Sequence, residues 1–382
     1  MPRQNRPLSL ARACPLDNGG AHWTTVALCS YPFRAPLMSE LRRDPLSGHW
    51  VIVAEGRSER PQDFKINRQV RSPDQCSFCA GHEEETPGEV FAVRSQRDVA
   101  DEADWKIRVV PNKYPALHPD SGDIGLPSLS PLAGKAAESL FTVSAGCGVH
   151  EVIIETPEHL VRTTDLHPKQ LAAVIRVYRS RLQALRANKR IHSGIVFKNV
   201  GPEAGATIEH THSQLIGLPI NSPRLAAELN ATRVHQDRYG NCLFCDLIAA
   251  EKQLDRRIVA TTERYLALCP YASRQPYETW ILPHAHQANF DTLCDDACDE
   301  LADLLLGTLQ AIDTTLDKPA YKYMVLSAPF DSDPGADYHW RMVIIPRLTI
   351  RAGFEWGTLC SINPVPPEEA ARDLQFGCER AN

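Results

Sequence analysis

Hydrophobic positions recur with helical spacing in two stretches of the chain, and strand-like runs flank each stretch. Leu171, Val174, Ile175, Tyr178, Leu182 and Leu185 fall on one face of a 3.6-residue period, which predicts an amphipathic helix. Leu301, Leu305, Leu309, Ile312 and Leu316 predict a second helix of the same kind. The first is preceded by EVIIETPEH, ending at His159, and followed by the strand-like IVFKN. The second is preceded by ETWILPHAH, ending at His286, and followed by the strand-like YKYMVL. Upstream, SELRRDPLSGHWVIVAEGR reads as a turn and then a strand, so ordered sequence is expected from about Met38. Residues 1–37 show neither period and are expected to be a disordered extension, or residues ahead of the true start. The Pro-rich stretch His118–Leu132 reads as an inserted loop.

These elements belong to two ordered runs of the same landmarks. The first run opens on Cys76-Ser-Phe-Cys79 and closes on His210-Thr211-His212; the second opens on Cys242-Leu-Phe-Cys245 and closes on Tyr338-His339-Trp340. From His159 to His210 is 51 residues, and from His286 to His339 is 53. The pattern implies a duplicated α+β unit with antiparallel sheets and helices packed on them. The expected units are 38–225 and 226–382, divided in the polar segment Ala226–Gly240.

Composition excludes a disordered or fibrous chain, since 43% of the 382 residues are hydrophobic and 23% charged. A formal charge of −6 provides no global field for nucleic acid or an anionic membrane, so neither partner is expected. No apolar run approaches the roughly 18 residues of a membrane span, and no signal-peptide core is present, which points to the cytoplasm. In such a setting, 12 Cys and 14 His point to metal binding rather than disulfides. Cys76, Cys79, His159 and His210 form one candidate Cys₂His₂ set; Cys242, Cys245, His286 and His339 form the other. Zinc suits these donors best, two ions per chain, with iron next. The remaining cysteines share no such spacing.

Phe197–Pro219 carries the most chemistry. A strand ending at Asn199, a loop with Gly201 and Gly205, and a second strand from about Thr207 are expected. Alternation then puts His210, His212 and Gln214 on one face. If a metal holds His210, His212 is an imidazole fixed beside a loop whose N–H groups can meet an anion. A neutral imidazole attacks phosphorus through one nitrogen while the other donates to an acceptor such as a backbone carbonyl. Gln214 could donate its amide to a phosphoryl oxygen. In the second run Arg341 stands where His212 stands in the first, so one reactive site per chain is expected.

These segments resemble the galactose-1-phosphate uridylyltransferase family of the histidine-triad superfamily, from about Glu40 to Arg372. The resemblance rests on RRDPLSGHWVIVAEGRSERP, CSFC, VVPNKYPAL, VIIETPEH, FKNVGPEAGATIEHTHSQ, PYETWILPHAH and GFEWGTLCSINPVPPEEA. It implies ping-pong nucleotidyl transfer: a histidine takes the nucleotidyl group from a nucleotide-sugar, releases a hexose 1-phosphate, and passes the group to a phosphorylated acceptor. His212 would be that nucleophile, with Gln214 stabilising the adduct and Arg57 and Arg60 contacting the nucleotide phosphates. Asn112, Asn199 and the turn Gly205, Ala206, Thr207 would line the nucleotide pocket, and Glu355 and Asn363 would contact the sugar. Two departures stand out. The best-known members carry His-Pro-His where this chain has His210-Thr211-His212, and they build their second metal site from one glutamate and three histidines. The second CxxC is similar to the branch that includes plant ADP-glucose phosphorylase. The resemblance favours UDP-glucose:galactose-1-phosphate uridylyl transfer, with a homodimer sharing its pockets. Adenylyl transfer to phosphate, as in ADP-glucose phosphorylase, is the enzymatic alternative, and a non-catalytic zinc-stabilised nucleotide-binding module is the other.

Overall fold

Ten strands among the described residues hydrogen-bond into one antiparallel sheet, and their order displays the repeat as a mirror image. The structure, a computed structural model, describes residues 40–43, 50–53, 72–94, 104–119, 142–331 and 338–381; at 40–43, 50–53, 142–143 and 376–381 only the backbone is described. Residues 1–37, Arg57, Arg60 and positions 120–132 of the expected inserted loop lie outside these.

A small sheet pairs β1 (Glu40–Arg43) with β2 (Trp50–Val53) and β5 (Thr142–Ala145), so the stretch read as a turn at Glu40–Arg43 is a strand. The large sheet takes β3 (Phe91–Arg94), β4 (Trp105–Pro111), β6 (Val149–Ile154), β7 (Ser193–Val200) and β8 (His212–Leu218) from the first half. The second half adds β9 (Ile258–Thr261), β10 (Tyr265–Leu268), β11 (Thr279–Pro283), β12 (Tyr321–Leu326) and β13 (Arg341–Pro346). Their order is β3-β4-β6-β8-β7-β12-β13-β11-β10-β9. From the β7–β12 seam outward, each half repeats the same succession. At the seam Tyr321 pairs with Val200 and Met324 with Phe197.

The two predicted helices occupy equivalent places. α1 (Pro168–Ala187) joins β6 to β7. Pro168 opens it, and the His167 side chain accepts the Lys169 N–H. All six apolar residues that predicted it are buried. α2 (Pro223–Tyr239) and α3 (Leu243–Leu254) follow the first half, and α4 (Asp295–Leu316) joins β11 to β12. On α4, Leu301, Leu305, Leu309 and Ile312 are buried, while Leu316 is only partly covered at its end. α1 packs against α4, and α4 against α6 (Pro367–Ala381). One core therefore draws Val196 and Leu215 from the first half and Ile281 and Tyr323 from the second. Leu37–Asn382 forms one compact unit. The segment Ala226–Gly240, read as a division between units, is almost entirely helix α2, started by Ser222 Oγ accepting the Leu225 N–H.

Candidate active site and two metal centres

Each Cys₂His₂ set converges as its spacing predicts. In both, the four ligand atoms lie within 4.8 Å of one another. Cys79 Sγ is 3.3 Å from His159 Nδ1 and 3.6 Å from His210 Nδ1; Cys245 Sγ is 3.5 Å from His286 Nδ1. His210 Nε2 donates to the Thr156 carbonyl at 2.8 Å, and His339 Nε2 to that of Pro283 at 2.9 Å. Those bonds fix the tautomer, turning a lone pair on Nδ1 toward the sulfurs, as metal-bound histidines require. Burial drives both His210 and His339 down to about 4, so both stay neutral ligands at neutral pH. Burial, reinforced by Cys76, pushes the Cys79 thiol up to about 12, and burial with Cys242 pushes Cys245 up to about 11. A divalent cation resolves that conflict by replacing the thiol protons. The donors therefore fit a metal ion at both centres. The first centre is buried apart from a half-buried His159, whereas His286 of the second is exposed.

The first centre anchors the reactive segment. β8 begins at His212 rather than near Thr207, and the reason lies in the preceding loop. Gly201 and Gly205 adopt φ of 85° and 90°, accessible to glycine without strain. The chain then arrives with the Thr211 N–H bonded to the Leu160 carbonyl at 2.7 Å instead of a ladder partner. His210 thus turns to the metal from a loop, while His212 and Gln214 share one face of β8. His212 Nδ1 donates to the His210 carbonyl at 2.7 Å, which leaves the ring's lone pair on Nε2. Phe78, between the two cysteines of the first centre, meets the His212 ring edge-on with centroids 5.2 Å apart. His212 lines a cavity of about 420 Å³ together with Asn112, Tyr114, Gly205, Thr207 and Gln214. Asn199 stands at the end of β7 beside Gly205, and the Ala206 N–H closes the turn onto Gly201 O at 3.1 Å. Glu355 and Asn363 are elsewhere. Glu355, on the short helix α5 (Gly353–Thr358), accepts from the Ala352 and Ile362 N–H groups, Asn363 donates to the Ser273 carbonyl, and neither lines this cavity.

Beneath β8 lies a polar network that sequence reasoning missed. Lys198 bonds to Glu155, and Ser213 and Tyr178 reach the same carboxylate. Thr211 Oγ1 donates to Glu155 Oε2 at 2.7 Å and accepts from Lys198 Nζ at 2.5 Å. Burial alone would raise the Glu155 carboxyl, but Lys198 and the hydroxyls hold it below the ordinary carboxylate range. The departure from His-Pro-His has its explanation here: threonine supplies a hydroxyl and an N–H that proline lacks. No local pattern could reveal it, because the partners converge from the end of β6, from α1 and β7, and, through the Tyr178–Tyr323 hydroxyl pair, from β12.

In the second half the corresponding space is filled. Val152, opposite Gln214, lines the cavity; Trp280 takes its place opposite Val343. Arg341, first in β13 as His212 is in β8, stacks 4.8 Å from the Trp280 ring centre and 5.1 Å from that of Phe244. Glu228 of α2 pairs with it at 2.6 Å and accepts the Tyr338 hydroxyl at 2.8 Å. The counterpart of His212 is a buried, ion-paired cation.

Comparison with known proteins agrees with this geometry. The galactose-1-phosphate uridyl transferase N-terminal domain matches residues 32–220, and a domain of unknown function (DUF4921) matches 147–375. ADP-glucose phosphorylase of Arabidopsis thaliana is 34% identical over 341 residues, covering 88% of this chain and 92% of the relative. The chain belongs to the galactose-1-phosphate uridylyltransferase family. A uridylyltransferase-family member from Thermotoga maritima, itself named galactose-1-phosphate uridylyltransferase, is 28% identical over 88% of this chain and 98% of its own. The crystal structure of the Arabidopsis ADP-glucose phosphorylase with bound ADP-glucose superimposes with a TM-score of 0.68 at 32% identity, over 88% of this chain and 98% of that one. As a member of this uridylyltransferase family the chain is a nucleotidyltransferase, and its fold is a duplicated α+β unit.

Proposed function

We propose that the chain transfers a nucleotidyl group between phosphorylated sugars by a ping-pong route through His212. The carrying observation is the His212 Nδ1–His210 carbonyl bond, which leaves the Nε2 lone pair in a cavity bordered by Gly205, Asn112 and Gln214. In the first step Nε2 attacks the α-phosphorus of a nucleotide-sugar. The Nε2–P bond forms, the bond from that phosphorus to the bridging oxygen breaks, and hexose 1-phosphate leaves as a stable anion needing no strong acid. In the second step a phosphate oxygen of the acceptor attacks the same phosphorus and Nε2 is released. Asn199 and the Gly205, Ala206, Thr207 turn border the nucleotidyl phosphate in this reading. Arg57 and Arg60 supply its counter-charge, and Glu355 and Asn363, which do not line this cavity, would reach the sugar only across a dimer that shares its pockets. Zinc at Cys76, Cys79, His159 and His210 would hold the strand that carries His212; zinc at Cys242, Cys245, His286 and His339 would stabilise the second half.

Uridylyl transfer from UDP-glucose to galactose 1-phosphate is the leading reading, supported by the relatives bearing that name. Adenylyl transfer to phosphate is the second, favoured by the 34% identity to ADP-glucose phosphorylase and by the second CxxC. We also place the protein in the cytoplasm, where thiol pairs stay reduced for metal; no helix among the described residues is long and apolar enough to cross a membrane. A homodimer fits the exposed apolar arm that carries Ile350, Trp356 and Leu359. Incubation with radiolabelled UDP-glucose and ADP-glucose should yield an acid-labile, base-stable adduct with one of them, and His212→Ala should yield none. Absence of label on the wild type, or equal label on His212→Ala, would refute the mechanism.

A further inference from the structure

A glutamine that steadies a phosphoryl group must present its N–H, yet a side-chain amide can turn either end to a ligand. Rotation by half a turn would aim the Gln214 carbonyl oxygen at the anion and repel it. What fixes the amide's sense is therefore part of the machinery. Two side-chain nitrogens converge on Gln214 Oε1, His150 Nε2 at 2.9 Å and Asn112 Nδ2 at 3.4 Å, and the two stand 3.1 Å from each other, so the polarity of each decides what Oε1 receives. Each has its own polarity set by a backbone N–H, which can only donate. The Ala116 N–H donates to His150 Nδ1 at 3.0 Å, so that nitrogen is the acceptor and Nε2 carries the proton. The Tyr114 N–H donates to Asn112 Oδ1 at 2.9 Å, so the group facing Gln214 is the NH₂. The segment 112–116, following β4, thus dictates through two side chains which end of Gln214 faces the cavity.

We propose that His150 is a positioning residue: held as its Nε2–H tautomer by the Ala116 N–H, it pins Gln214 Oε1 and turns the Gln214 NH₂ toward the transferring phosphoryl group. This rests on the nucleotidyl-transfer reading above. His150 is buried on β6, opposite Ile216 and one step along β8 from Gln214, and it stands behind the residues that line the cavity. The second half gives an internal contrast. The register that sets Trp280 in place of Val152 sets Glu278, an acceptor, in place of His150, and Val343 in place of Gln214. Where no glutamine needs orienting, the donor is gone.

The experiment is rapid-quench measurement of adduct formation with whichever nucleotide-sugar labels the wild type. His150→Gln keeps a side-chain N–H near the position of Nε2 and should stay within several-fold of wild type. His150→Glu offers only acceptors, should reverse the amide, and should slow adduct formation by about 10²-fold, comparable to losing one oxyanion donor, with little change in KM. His150→Ala should slow the wild type but cost nothing further in a Gln214→Ala background. Equal rates for His150→Glu and wild type, or additive losses in the double variant, would overturn the proposal. A readout independent of turnover is ¹⁵N NMR of the imidazoles, with His150 assigned by its loss in His150→Gln. Protonated Nε2 with bare Nδ1 is expected, and the opposite tautomer would overturn the proposal even in an active enzyme. If no nucleotide-sugar labels the wild type while the expected tautomer is found, the transfer reading fails and the donor chain onto Gln214 stands.

Discussion

Thr211 shows how one residue ties the reactive strand to the interior. Its hydroxyl bridges Lys198 and Glu155, and its N–H bonds to Leu160 O, so both neighbours, His210 and His212, inherit their placement from it. Thr211→Ser keeps both groups and should retain near-wild-type stability and adduct formation. Thr211→Pro removes both, leaving buried polar groups without partners, and should cost roughly 1–3 kcal/mol in urea denaturation while slowing adduct formation. Lys198→Met is the harsher change, because it strands a wholly buried carboxylate. A loss of about 3–5 kcal/mol is expected, and a loss below about 1 kcal/mol would show that Glu155 does not depend on the lysine. These effects define what could be read from residues alone. Cys76, Cys79, His159, His210 and their counterparts were legible because metal coordination imposes spacing that a duplication then repeats. His212 stood out because it lies two residues from His210 of the first Cys₂His₂ set. Glu155, Lys198 and His150 were not, because a buried donor or acceptor has no sequence signature until the sheet brings its partner alongside; Glu155 and Lys198 stand 43 residues apart.

Among the elements, α2 is the one whose role differs most from its sequence pattern. Its polar character reads as a division between units, since of its residues only Thr232 is fully buried. In the fold it carries Glu228 to Arg341, 113 residues away, and so covers the counterpart of the His212 cavity. Burial would raise the Glu228 carboxyl, but Arg341 and then Arg224 hold it below the ordinary range. A carboxyl depressed in the folded state adds stability that is present above its unfolded value and lost as pH falls through the folded one. The contribution should therefore begin to fade below about pH 4.3, the unfolded glutamate value. Urea midpoints measured from pH 6 to 3 should fall more steeply for wild type than for Glu228→Gln. Parallel curves would mean that the ion pair contributes nothing to folding. The apolar stripes of α1 and α4, by contrast, were legible, because a stripe with a 3.6 period must face a core whatever its partner is.

For the whole molecule, the decisive feature is that the duplicated units share a sheet and a core. β7 and β12 are central strands only because each has the other; alone, each would end its half of the sheet with unpaired N–H and C=O groups. α1 likewise buries part of its apolar face on α4. Sequence repeats showed the duplication but not this junction, since the register of β12 on β7 depends on side chains from both halves packing at once. The metal centres are local by comparison. Elemental analysis should find about two zinc ions per chain, and Cys242→Ser should remove one, lowering stability while leaving adduct formation partly intact; retention of both ions would contradict the second centre. Separation of the halves should be far more damaging. Expressed alone, residues 38–225 keep the first metal centre, His212 and Gln214, yet expose the β7 edge and the apolar stripe of α1. The fragment should aggregate or bind a hydrophobic dye, and co-expression with residues 226–382 should restore a soluble pair that forms the adduct. A monomeric, folded and fully active 38–225 fragment would show that the seam joins two independent domains rather than completing one.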